Sequence, residues 1–148
     1  MTTATMHKPF LLDLNVLIAL SWPQHVHHAR AHAWFDSIAE PWATTPLTEA
    51  GYLRLCTNPS VVGEPVSMDG ALDALRAIRA TLGHTFLPDN STLAEPAISL
   101  ERVTTSRHVT DTHLVNLAAV LGAVLATLDR GIEQITMPED RLHVLVLP

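Results

Sequence analysis

Two spacings of residues alternate along this chain. Short strand-like runs sit at 10–12, 42–44, 84–88, 123–128 and 142–147, and between them apolar residues recur every third or fourth position. The first pattern suits buried strands, the second helices with one covered face. Helices are predicted over 16–20, 24–38, 46–56, 68–82 and 110–121, with a further helical patch over 93–104 interrupted by Pro96. Turn-forming residues punctuate the pattern. Pro23 closes the first helix and opens the second, Thr45 and Pro46 make a helix start, and Gly83 and Gly122 make two stops. Residues 58–65 read as a loop, and Thr110 or Asp111 as the start of the helix at 110–121. Strands alternating with helices predict an α/β fold with a mainly parallel central sheet, as one domain over residues 1–148.

Composition fits such a domain and narrows its chemistry. The 148 residues are 47% hydrophobic and 16% charged, which excludes a disordered chain. A net charge of −6 argues against a broad basic surface for duplex nucleic acid, while leaving room for local contacts from a few arginines. The single cysteine, Cys56, lies in an apolar helical pattern, permits no internal disulfide and points to a reducing compartment. No apolar run nears the roughly 20 residues of a membrane helix. Residues 1–9 lack the basic and apolar regions of a secretion signal, so the expected location is the cytoplasm.

The candidate chemistry lies in acids at the ends of apolar elements. Asp13 and Asp129 terminate strand-like runs, and Glu49 and Asp111 fall in the first turn or so of helices. In a parallel sheet these places share the carboxyl edge, so four acids far apart in sequence can converge. Together they would repel one another unless a cation lay between them. Oxygen ligands of this kind suit Mg²⁺ or Mn²⁺, and no Cys/His spacing for structural zinc is present. Asp13, Asp111 and Glu49 are the expected ligands. Asp129 would bind the same ion, hold a second one or orient a water, with Asn15 and Thr127 positioning the carboxylates by hydrogen bonds. Taken singly, each acid could equally be a cap, a turn residue or a surface charge. His25, His28 and His32 lie at helical spacing and read as polar residues on a half-exposed helix.

At these residues the chain resembles the PIN-domain ribonucleases, specifically the VapC toxins of bacterial toxin–antitoxin pairs. The matching pieces are Leu12-Asp13-Leu14-Asn15-Val16-Leu17, Thr48-Glu49, Thr110-Asp111-Thr112-His113-Leu114 and Thr127-Leu128-Asp129-Arg130, in the family's order. The resemblance implies a three-layer α/β/α sandwich and Mg²⁺- or Mn²⁺-dependent cleavage of structured RNA such as tRNA or rRNA. It also implies a homodimer and a small VapB-like antitoxin, seated in a groove along 24–38 and 50–56 where Trp34, Phe35 and Tyr52 offer apolar anchors. Arg76, Arg79, Arg107, His108 and Arg130 are candidate phosphate contacts. A HAD-type phosphatase would want a second aspartate where the chain has Asn15. That family and the response-regulator receivers both need a later lysine, whereas Lys8 is the only lysine. Three roles stay open within the resemblance: a toxin, a housekeeping RNA-processing nuclease, or a metal-binding or interaction module without turnover.

Overall fold

The computed structural model describes residues 7–62, 64 and 66–148; residues 1–6, read above for a secretion signal, lie outside them. Five strands form one sheet in the order β3-β2-β1-β4-β5, and every pairing is parallel. They are β1 (Phe10–Leu12), β2 (Trp42–Thr44), β3 (His84–Phe86), β4 (Val124–Thr127) and β5 (Val144–Val146). The apolar run after Pro9 is thus the middle strand, in register with β4 through Phe10–Val124, Leu11–Leu125 and Leu12–Ala126. Alternation along a strand sends neighbours to opposite faces. Leu12 and Ala126 accordingly join a core with α1 (Leu14–Ser21), α2 (His28–Ser37), α3 (Pro46–Cys56) and α5 (Met68–Ala80). Leu11 and Leu125 join a second core with α6 (Val109–Leu121) and Ile132 of α7 (Gly131–Ile135). The result is the expected three-layer sandwich.

Several boundaries differ from the sequence reading, each for a local reason. The second helix begins at His28, because His25 N–H bonds the Trp22 carbonyl and His28 N–H that of His25, which uses residues 22–28 in consecutive turns. The loop expected over 58–65 contains a short helix, α4 (Pro59–Val62). The third long helix stops at Ala80, leaving Leu82 95% exposed rather than on the apolar face. No helix forms over 93–104. There, Ala97 N–H is taken by Asn116 Oδ1 at 2.7 Å and Ser99 N–H by Asp140 Oδ2 at 2.9 Å, so side chains of other segments replace the helical acceptors. The last helix of the prediction starts at Val109 out of a 3-10 turn over Ser106–His108, so neither Thr110 nor Asp111 caps it. A second 3-10 turn, Pro138–His143, shortens the last strand to Val144–Val146.

Candidate active site

β1 leads on to β2 and β3 on one side, while β4 and β5 lie on the other, so the sheet order reverses between β1 and β4. Parallel sheets hold ligands at such a point, beyond the carboxyl ends of the strands. Asp13 follows β1 directly and is the N-cap of α1, its Oδ1 accepting the Leu14 N–H at 2.7 Å. Asp129 follows β4 across the gap, and Asp111 sits in the first turn of α6. All three aspartates line one cleft of about 530 Å³.

Two neutral side chains tie this edge together. The Thr127 hydroxyl donates to Asp13 Oδ2 at 2.7 Å and accepts from Asn15 Nδ2 at 3.2 Å and from the Asp129 N–H at 3.1 Å. Asn15 Oδ1 in turn accepts the Leu128 N–H at 3.1 Å, and Asp129 Oδ1 accepts the Gly131 N–H at 2.8 Å. The amide and hydroxyl of Asn15 and Thr127 therefore hold two acid-bearing strand ends in fixed relation.

The electrostatics are those of a site short of positive charge. Burial pushes the Asp13 carboxyl up from 3.8 to about 6, the Thr127 bond opposes this, and the charges of Asp111 and Asp129 add to it. Asp111 is also raised, by burial and then by Asp129, with His108 pulling the other way. Among the described residues none of the three aspartates is ion-paired. A cation would relieve this repulsion. Nor, among the described residues, do three acidic, histidine or cysteine groups close into a ready coordination sphere. An open set of carboxylates with room for water suits Mg²⁺ or Mn²⁺, which keep several waters, better than a zinc or calcium cage.

Glu49 is not brought to this cleft. Its carboxylate receives Arg79 Nη1 at 2.5 and 3.0 Å, linking α3 to α5. The side of α3 that reaches the aspartates carries Leu47, Thr48, Gly51 and Arg54. At about 100° per residue, Glu49 points more than a quarter-turn away from all of them. Arg79 is thereby also spoken for, lying 4.7 Å over the Phe86 ring, and Arg76 pairs with Asp73 on the same helix. Arg107 and His108 lie in the turn before α6, about one turn ahead of Asp111, and Arg130 follows Asp129, but none of the three is among the residues lining the cleft. The expected antitoxin anchors are not free: Tyr52 is 2% and Trp34 6% exposed, and Phe35 packs edge-on against Trp42 at 5.3 Å. The three histidines serve structure or the cleft wall. His28 Nδ1 bonds the Ala19 carbonyl at 2.7 Å and His32 Nε2 the Leu20 carbonyl at 3.0 Å, while His25 lines the cleft.

The sequence reading missed Trp22 and Arg54. Leu14, Ile18 and Trp22 recur every four residues along α1 and its C-cap, and all three line the cleft. That stripe, starting beside Asp13, was a legible signal. Arg54, with Thr110, borders a smaller hollow of about 110 Å³ that shares Asp13 and Asp111 with the cleft.

Comparisons with known proteins agree with this fold. A family model for the PIN domain matches residues 10–136. The chain is 41% identical to ribonuclease VapC38 of Mycobacterium tuberculosis over 93% of its own length and 96% of the relative's. It is 47% identical to ribonuclease VapC39 of the same species, covering 82% and 89%. Among solved structures, PAE2754 from Pyrobaculum aerophilum superposes with a TM-score of 0.57 at 23% identity, covering 91% and 84% of the two chains. VapC20 of M. tuberculosis, a sarcin–ricin loop cleaving toxin, gives 0.56 at 12% identity, covering 84% and 93%, and speaks for the fold alone.

Proposed function

The chain belongs to the PIN-domain family, among the VapC ribonucleases, and from that premise we propose that it is a metal-dependent endoribonuclease acting as the toxin of a toxin–antitoxin pair. The observation that carries the reading is the unpaired aspartate trio, Asp13, Asp111 and Asp129, around one cleft at the reversal point of the sheet. Asp13 and Asp111 are the ligands we assign to Mg²⁺ or Mn²⁺, with Asp129 completing the site or orienting the attacking water. Bound there, the ion would stabilise the charge developing on the phosphodiester and lower the pKa of that water. The chain's own residues do the rest. Thr127 and Asn15 hold the Asp13 carboxylate and the Leu128 and Asp129 backbone in place, so little reorganisation is needed as charge develops. Arg107, His108 and Arg130, close in sequence to Asp111 and Asp129, are the candidate phosphate contacts.

The substrate in this reading is a structured RNA of the tRNA or rRNA class. A VapB-like antitoxin that covers the cleft, and a second copy of the chain, are its partners. The test is incubation of purified protein with total cellular RNA in Mg²⁺, Mn²⁺ or EDTA, beside Asp13→Asn and Asp111→Asn. Discrete fragments that need metal and vanish in both variants are the expected result. Metal binding without any cleavage would leave an interaction module on the same fold.

A further inference from the structure

The cleft extends well beyond the aspartates. Along α1 its wall runs from Leu14 through Ile18 to Trp22, a distance of about 12 Å at the helical rise. At that far end Trp22 and His25 also line a second hollow of about 590 Å³, so the two spaces adjoin across these side chains. The wall changes character on the way, from carboxylates to an aromatic ring, an imidazole and aliphatic carbons of Ile18 and Leu55. A phosphate belongs at one end and something flat and partly polar at the other.

The far end is also rigid. Trp22 is the C-cap of α1, its N–H bonded to the Ile18 carbonyl at 2.9 Å, and Pro23 fixes the backbone after it. His25 N–H bonds the Trp22 carbonyl at 3.0 Å, and the rings of His28 and His32 hold the carbonyls just before Trp22. His25 Nδ1 accepts the His27 N–H at 3.1 Å, which leaves Nε2 as the protonated nitrogen of the neutral ring. Burial, then His27 and His28, lower the His25 pKa and keep that neutral form in place. Trp34 and Trp42 are 6% and 4% exposed, whereas Trp22 remains partly open to the cleft.

We propose that Trp22 and His25 form a nucleobase subsite, in which Trp22 stacks a base of the RNA strand whose phosphate lies at the aspartates and His25 Nε2 donates to that base's edge. The proposal rests on the nuclease reading above and adds a place where sequence is read. Aromatic stacking accepts any base, so affinity comes from Trp22, while discrimination among bases comes from the directional His25 donor. A preformed platform also spares the entropy of ordering two side chains on binding.

The test uses the full chain with short end-labelled oligoribonucleotides of single base composition, in Ca²⁺, with RNA integrity checked on gels. Anisotropy reads binding, and intrinsic tryptophan emission reads contact, since Trp22 is the indole open to the cleft. Expected are quenching of that emission at saturation and binding about ten- to a hundredfold weaker in Trp22→Ala. Trp22→Phe should keep most of the affinity, and His25→Ala should flatten the ranking among bases while still binding. RNA that binds without quenching, and equally to Trp22→Ala, overturns the subsite but leaves the nuclease reading standing. Absence of both binding and cleavage in the wild type overturns both. Quenching requires no variant, so the test stands even if Trp22→Ala fails to fold.

Discussion

Thr127 gives its only hydroxyl proton to Asp13, at 2.7 Å, while accepting from Asn15 and from the Asp129 backbone. The residue is fully buried, so no water can replace these bonds. Thr127→Val keeps the shape and removes the hydroxyl, stranding a carboxylate oxygen and two donors. The expected cost is about 1–3 kcal/mol of stability in denaturant titration, the range for orphaning one buried group, since the Asn15 and Asp129 donors are only part-buried. Metal affinity by calorimetry should fall as well, because Asp13 loses the bond that favours its charged form. Thr127→Ser, which restores the hydroxyl, should recover most of both.

Asp13 makes the metal-free protein more stable in mild acid. Its carboxyl titrates at about 6 when folded and near 3.8 when unfolded. Below 3.8 both states are protonated and the group contributes nothing. Between the two values only the folded state keeps the proton, so stability falls as pH rises. Above about 6 both are ionised and the full cost of roughly 3 kcal/mol is present. In EDTA, unfolding free energy measured from pH 4.5 to 7.5 should therefore decline across that window, and the decline should be shallower in Asp13→Asn. Asp111, raised in the same sense, accounts for part of the slope that remains. A wild-type profile with the same slope as the variant would remove Asp13 as the group responsible.

The sheet, and the gathering of three of the four acids at one edge, were legible because they rest on local signals. Phe10–Leu12 and Val124–Thr127 are strand runs ending one and two residues before an aspartate, and edge placement follows from parallel topology. Asn15 and Thr127 could be assigned their work for the same reason, each lying two residues from an aspartate. Glu49 was illegible because spacing along the chain gives the turn of a helix but not its rotation about its axis. Only packing decides that, and here Gly51 rather than Glu49 faces Leu14, with an added Cβ falling 2.8 Å from Leu14 Cδ2. The segment 93–104 failed for a different reason: its backbone donors are captured by Asn116 and Asp140, which are distant in sequence. Trp34 and Tyr52 were read as anchors on a groove but belong to the core under α1.

The Glu49–Arg79 pair makes a prediction opposite to the one its motif suggested. With Glu49 bound to Arg79 and absent from the cleft, Glu49→Gln should leave Mg²⁺ affinity within about twofold of wild type, whereas Asp111→Asn should lower it severalfold or more. Stability should drop by no more than about 1 kcal/mol, because Arg79 is 41% exposed and solvent screens the pair. Calorimetry on the two variants side by side checks this. A loss of metal binding in Glu49→Gln equal to that in Asp111→Asn would mean that the helix turns, or the pair opens, when the ion arrives.

His28 and His32 supply the donors missing at the end of α1. A helix leaves its last carbonyls without intrahelical donors, and here the Ala19 and Leu20 carbonyls receive imidazole nitrogens at 2.7 and 3.0 Å. The rings also pack on each other, with centroids 4.4 Å apart. Among the described residues no third acidic, histidine or cysteine group joins them, which argues against a joint metal site. Adding Zn²⁺ or Ni²⁺ should accordingly give no more thermal stabilisation to the wild type than to His28→Ala/His32→Ala. The double variant should lose about 2 kcal/mol in denaturant titration, roughly 1 kcal/mol for each half-buried bond removed. Because these bonds fix the turn that carries Trp22, the variant should also show weaker quenching of indole emission by bound RNA, even at temperatures where it is fully folded.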